Sequence, residues 1–89
     1  MTVEEWTKKL REEQFGEVWE HTDKADFSYP IHSHPVNTTY VVFEGSMVVP
    51  FEGKDHEMRP GDRLDIAKHV EHSTKIGPEG CTFLIGVRV

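Results

Sequence analysis

From Phe15 onward the chain is written in short runs of β-branched and aromatic residues, broken by polar and glycine- or proline-containing clusters. Thr38 to Phe43 is an unbroken run of this kind, and near the C-terminus Cys81, Phe83, Ile85, Val87 and Val89 alternate with the residues between them. Alternation with period two marks a strand with one face buried, because successive side chains leave a strand on opposite faces. Seven or eight short strands at this spacing restrict the chain to an all-β sandwich or barrel.

The expected strands are Phe15 to His21, Phe27 to His32, Thr38 to Phe43, Ser46 to Phe51, His56 to Met58, Arg63 to Ile66, Val70 to Ile76 and the C-terminal run. Glu52-Gly53-Lys54-Asp55 reads as a hairpin loop, Gly77-Pro78-Glu79-Gly80 as a turn, and Pro50 as an edge or bulge position. Ahead of them, Thr2 and Glu5 have the spacing of a capping box, and Val3, Trp6 and Leu10 recur at helical spacing up to about Glu13. A short amphipathic helix over residues 1–13 is therefore expected against a barrel of residues 15–89, or against a second subunit. At 89 residues the chain has room for one domain.

Charge and cysteine content exclude several function classes. Ten basic and sixteen acidic residues leave a net charge of −6, the opposite of the basic footprint that nucleic acid requires. No run approaches the length of a membrane span, and the charged N-terminus lacks the apolar core of a signal peptide. The single cysteine, Cys81, excludes an internal disulfide and fits a reducing, cytoplasmic setting. Its alternation with Phe83 places it in the core as a structural thiol.

Chemistry concentrates in Ile31 to Gly45. His32 and His34 are two apart, so on an extended segment both imidazoles share a face, with Cα atoms about 7 Å apart, close enough to converge on one ion. A third histidine, His72, follows the turn Pro60-Gly61-Asp62 and the short strand Arg63 to Ile66.

These two stretches resemble the two motifs of the cupin superfamily, G-x5-H-x-H-x3,4-E-x6-G and G-x5-P-x-G-x2-H-x3-N. His32, His34 and Gly45 fall on the first motif, and Gly61 and His72 on the second. Fifteen residues separate Gly45 from Gly61. The match has gaps: Thr38, or Thr39 under the longer spacing, stands at the glutamate, and Asp26 at the opening glycine. Ala67, His69 and Ile76 replace the Pro, Gly and Asn of the second motif. The resemblance implies a jelly-roll barrel and a facial set of His32, His34 and His72 for one divalent transition metal such as Fe, Zn, Ni or Mn.

Around that set, Thr38, Tyr40, Tyr29 and His69 are candidates for the substrate pocket. Thr38, Tyr40 and Val42 share parity and should face inward. His69 belongs in the loop at the barrel mouth, as a rim residue rather than a ligand. Trp19 reads as ordinary core, and His21 and His56 as solvent-facing. Two functions fit: a small metalloenzyme, for instance a non-haem dioxygenase acting on a small molecule, or a non-catalytic module binding a sugar-like or polar metabolite. A homodimer is expected, since a barrel this small with an amphipathic helix has apolar surface to cover.

Overall fold

The computed structural model describes residues 1–88; Val89, expected at the end of the last strand, lies outside them. One helix, α1 (Val3–Glu12), precedes six strands: β1 (Glu17–Asp23), β2 (Ser28–His32), β3 (Thr38–Phe51), β4 (Lys54–Met58), β5 (Arg63–Ile66) and β6 (His72–Val87).

The helix begins as its sequence dictates. The Thr2 hydroxyl accepts from the Glu5 amide at 3.1 Å, and the Glu5 carboxylate accepts from the Thr2 amide at 2.9 Å, which satisfies two otherwise orphaned donors. It ends in a Schellman turn: Gln14 takes a left-handed φ of 75° and donates to the Arg11 carbonyl, and Phe15 donates to Leu10. Leu10 and Phe15 are then buried together with Val41 and Leu84 on the outer face of the barrel.

β3 and β6 are long, antiparallel and central. The first half of β3 lies between β5 and the second half of β6, and β1 flanks that half of β6. The second half of β3 lies between β4 and the first half of β6, which β2 flanks. Two four-stranded faces thus share two bent strands, the arrangement of a jelly roll. Their inner faces enclose Tyr40, Val42, Met47, Val49, Met58, Ile66, Ile76, Cys81 and Phe83. Burial pushes the Cys81 thiol up to about 11, with a smaller push from Asp23, consistent with an inert core thiol.

Here the strand count differs from the sequence expectation. Glu44-Gly45 and Gly77-Pro78-Glu79-Gly80 were expected to break the chain, yet both lie inside strands. They are where the two central strands bend together. The β3–β6 register shifts between Val42 and Glu44 and again between Gly45 and Met47. At the bend Gly45 has φ 73°, and a Cβ there would sit 1.9 Å from the Gly80 carbonyl oxygen. Only glycine fits so close a backbone approach. By contrast the β3–β4 loop is tighter than expected, two residues with φ 52° at Glu52 and 75° at Gly53, the left-handed pair of a type I′ hairpin.

Candidate metal centre

Three elements bring the histidines together. β2 ends at His32, which pairs with His72 at the start of β6, and His34 follows in the loop two residues on. The ring centroids are 4.9 Å apart for His32 and His34, 4.4 Å for His32 and His72, and 5.1 Å for His34 and His72. One nitrogen from each ring lies within 4.8 Å of the other two.

Hydrogen bonds orient two of the rings. His32 Nδ1 lies 2.7 Å from the Pro30 carbonyl and His72 Nδ1 lies 3.0 Å from the Val70 carbonyl. A carbonyl only accepts, so each Nδ1 carries the proton and each Nε2 carries the lone pair. The Nε2 atoms of His34 and His72 are buried with no partner among the described residues. Buried polar nitrogens are ordinarily paired, and three convergent imidazoles are a suitable donor set for a divalent transition ion. The residues fit such an ion. Burial lowers the His34 imidazole below its usual range, reinforced by His72 and His32; burial also lowers His72, against the pull of the Val70 carbonyl. Both shifts favour the neutral, ligating form.

The second motif's turn survives the loss of its glycine. His69 takes a left-handed φ of 68° at that glycine's place, and its amide donates to the His34 carbonyl at 2.8 Å. The Lys68 amide likewise donates to the Asn37 side-chain Oδ1 at 2.8 Å, so one backbone and one side-chain hydrogen bond stitch the two histidine-bearing loops together. His69 itself is exposed and is not in the cavity wall. Its inclusion among the pocket residues is therefore corrected: the left-handed backbone serves the turn and leaves the ring outside.

His32 and His34 open into a cavity of about 360 Å³ between the two faces of the barrel, with His72 buried behind them. Thr38, Tyr40 and Tyr29 are in its wall. Thr38, not Thr39, stands on the cavity face, where its hydroxyl donates to Val36 at 3.3 Å. Burial pushes the Tyr40 phenol up to about 12.

Three residues overturn the sequence reading. Trp19, expected in the core, lines the cavity and is 42% exposed, because β1 is an edge strand with no neighbour beyond it. His21, expected in solvent, is half-buried in the cavity wall with its ring edge-on to Phe83 at 5.6 Å. It pairs with Asp23 at 2.9 Å, and Tyr29 donates to the other Asp23 oxygen at 2.7 Å. Burial, then Asp23, pushes the Tyr29 phenol up to about 12. The shared parity of Trp19 and His21 was a usable signal; which face of β1 turns inward was not visible. His56, also expected in solvent, is half-buried and stacks on Phe51 at 4.2 Å.

No protein-family model matches the chain. It is 42% identical over 55 residues, 62% of its length, to the dimethylsulfoniopropionate lyase DddW of Ruegeria pomeroyi, and covers 36% of that protein. Among solved structures it is similar to the dimethylsulfoniopropionate lyase DddQ of Ruegeria pomeroyi, with a TM-score of 0.74 and 23% identity over 81% of this chain and 37% of that one. A cupin-2 domain protein of Shewanella frigidimarina gives a TM-score of 0.65 and 22% identity over 79% of this chain and 69% of that one. The chain has the cupin fold. It spans about a third of the length of the two lyases. No helix among the described residues is long and apolar enough to cross a membrane.

Proposed function

We propose that the chain is a metal-dependent cupin lyase that cleaves a small carboxylate-bearing molecule, and that dimethylsulfoniopropionate is the first substrate to test. The observation that carries this reading is the pair of buried, partnerless Nε2 atoms of His34 and His72, grouped with His32 beside the cavity that His32 and His34 line. The likeness to DddW over residues of this chain supplies the reaction class.

A divalent ion bound there would act as a Lewis acid, holding the carboxylate and easing loss of a proton from the adjacent carbon. The rest falls to the chain. As that C–H bond breaks, its electrons form the new C=C bond, the C–S bond breaks, and the sulfur leaves with its electron pair. Acrylate and dimethyl sulfide result, with one proton left on the protein. Two phenols face the cavity. Tyr29 directs its proton to Asp23, so Tyr40, the other phenol in the cavity wall, is the one available to exchange a proton with substrate. Met47, Phe83, Ile85 and Val87 give the walls an apolar surface that limits water.

The test is to load metal-free protein separately with Fe²⁺, Mn²⁺, Zn²⁺ and Ni²⁺ and measure dimethyl sulfide and acrylate. Ion-dependent release of both, lost in Tyr40→Phe with metal still bound, is the expected result. Stoichiometric metal with no release under any ion would overturn the lyase. Thr38 at the motif's glutamate favours a second reading, a non-catalytic small-ligand module with a neutral ligand set; binding without turnover distinguishes it. Oxygen uptake in the same assay would favour the dioxygenase chemistry also open to a three-histidine site. We further propose a cytoplasmic homodimer, since Phe27 and Ile31 leave apolar surface exposed on and beside β2. A stable monomer by light scattering at micromolar concentration would exclude the dimer.

A further inference from the structure

Strands β1, β2, β4 and β5 form the edges of the two faces, and three of them carry devices that stop further pairing. β2 contains Pro30, and its register against β6 breaks between Tyr29 and His32. β4 opens on the exposed Lys54. β5 is four residues long, and its Arg63 is tied to Glu13. Proline, a bulge, lysine and short length are the ways in which native edges avoid adding a strand. β1 has none of them. Its seven residues hold one unbroken register against β6 and include neither proline nor a basic residue other than His21. On its other side no strand follows among the described residues, so a row of backbone donors and acceptors faces outward. Trp19 stands in this edge, 42% exposed although it lines the cavity.

The side chains of β1 select a second β1 as the strand that fits there. Antiparallel pairing about a two-fold axis normal to the sheet sets residues of equal parity opposite one another. Cavity-facing side chains then meet cavity-facing side chains. Centred on Trp19, the pairing places indole beside indole, and Glu17 opposite His21 of the partner subunit, twice over. Cross-strand aromatic pairs and acid–base pairs of this kind stabilise a sheet. Centred on Glu20, it would oppose Glu20 to itself and Glu17 to Asp23, and like charges directly opposite are destabilising. Centred on Val18, it would call on Phe15, which is already buried against Leu10 and Leu84. Asp23 lies beyond the paired span of residues 17–21. It takes His21 Nε2 at 2.9 Å and Tyr29 Oη at 2.7 Å, which leaves His21 Nδ1 for Glu17 of the partner subunit.

We propose that β1 pairs antiparallel with β1 of a second copy of this chain, Trp19 on the two-fold axis, so that Glu17 and Trp19 of the partner subunit complete the wall beside Trp19 and His21. The pairing closes on itself, which gives a dimer and not a filament. Phe27 and Ile31 stand on the same side of the barrel, because β2 flanks the other half of β6. The inference rests on the proposed homodimer, names the surface that makes it, and is independent of the lyase reaction.

Analytical ultracentrifugation of the whole chain should give a dimer at micromolar concentration. Trp19→Lys, with its circular dichroism unchanged, should raise the dissociation constant about a hundredfold, because two ammonium groups then meet on the axis. Register is read by oxidation. Trp19→Cys should cross-link two chains, since directly opposed Cβ atoms lie about 4.5–5.5 Å apart. Val18→Cys and Glu20→Cys should stay unlinked, and Cys81 is buried and does not compete. In a Trp6→Phe background the Trp19 emission should shift to the blue as concentration rises through the dissociation constant. Cross-linking of Glu20→Cys in preference to Trp19→Cys would overturn the pairing. A dimer that Trp19→Lys leaves intact and Ile31→Asp splits would keep the homodimer and overturn the β1 edge as its surface. A wild-type monomer would overturn both.

Discussion

Thr38 and Thr39 are neighbours in sequence, both almost fully buried, and they belong to different halves of the molecule. Thr38 faces the cavity with the histidines and Tyr40. Thr39 faces outward, where its hydroxyl donates to Asp65 at 2.6 Å. Asp65 accepts from Arg63 Nε at 2.9 Å, and Arg63 grips both Glu13 oxygens at the end of the helix, at 2.9 and 2.6 Å. One side of β3 is a closed, saturated network and an apolar seam that fasten α1 to the barrel. The other side is a cavity with unspent lone pairs and aromatic faces. A protein that satisfies its polar groups on one face and leaves them open on the other has separated stability from ligand chemistry across a single strand. The two can therefore be disturbed independently.

The largest effect should come from Leu10→Ala. Leu10 is fully buried against Phe15, Val41 and Leu84, and truncating such a leucine typically costs about 2–5 kcal/mol. Denaturant unfolding should show that loss while metal stoichiometry of the folded protein stays unchanged; a parallel fall in metal affinity would mean the two faces are coupled.

A matched pair sharpens the comparison. Thr38→Glu puts a carboxylate on the cavity face and should tighten Mn²⁺ retention under chelator, raising the metal-bound melting temperature. Thr39→Glu breaks the Asp65 hydrogen bond and sets two carboxylates together, so it should destabilise by about 1–3 kcal/mol with no gain in Mn²⁺ affinity. Identical Mn²⁺ isotherms for the two variants would put the cavity face elsewhere.

Acid should strip the two faces in different windows. Hydrogen bonds from Arg63, then Lys9, hold the Glu13 carboxyl down to about 2 from an ordinary 4.5. That contribution is complete above 4.5 and is lost as pH falls toward 2, because the unfolded chain takes the proton first. Glu13 is partly solvent-exposed, so screening keeps it modest. The lowered His34 and His72 work the same way from a higher start. In metal-free protein their contribution is complete above about 6.5 and drains below it as the unfolded imidazoles charge. Metal occupancy should fall over about pH 6.5 to 5, since bound imidazoles must be neutral. Melting curves against pH should show a smaller upper limb in His34→Asn and a smaller lower limb in Arg63→Met; the same limb reduced by both changes would mean one shared network.

The smallest effect belongs to His69→Gly. Relieving a left-handed φ of 68° should raise stability by about 0.5 kcal/mol, after the added freedom of glycine in the unfolded chain is discounted. The amide bond to His34 persists, so metal affinity should hold. A lower melting temperature would show that the His69 ring contributes contacts.

The sequence by itself determined what depends on local periodicity and spacing. The capping box, the alternation of β3 and β6, the inward parity of Thr38 and Tyr40, and the pairing of His32 with His34 all follow from the geometry of single elements. The third histidine, His72, was legible through the motif resemblance. Tertiary structure alone decided the rest. Glu44-Gly45 and Gly77-Pro78-Glu79-Gly80 look like breaks locally, yet they continue as strands because Gly45 and Gly80 let two bent backbones touch. Which of two adjacent threonines faces the cavity was open under the motif's two spacings, and the register of β3 against β5 and β6 settled it. Trp19, His21 and Asp23 acquire their setting only when β1 pairs with the far end of β6, with Asp23 opposite Cys81. No local pattern encodes that partnership, because the residues that create it lie some sixty positions apart.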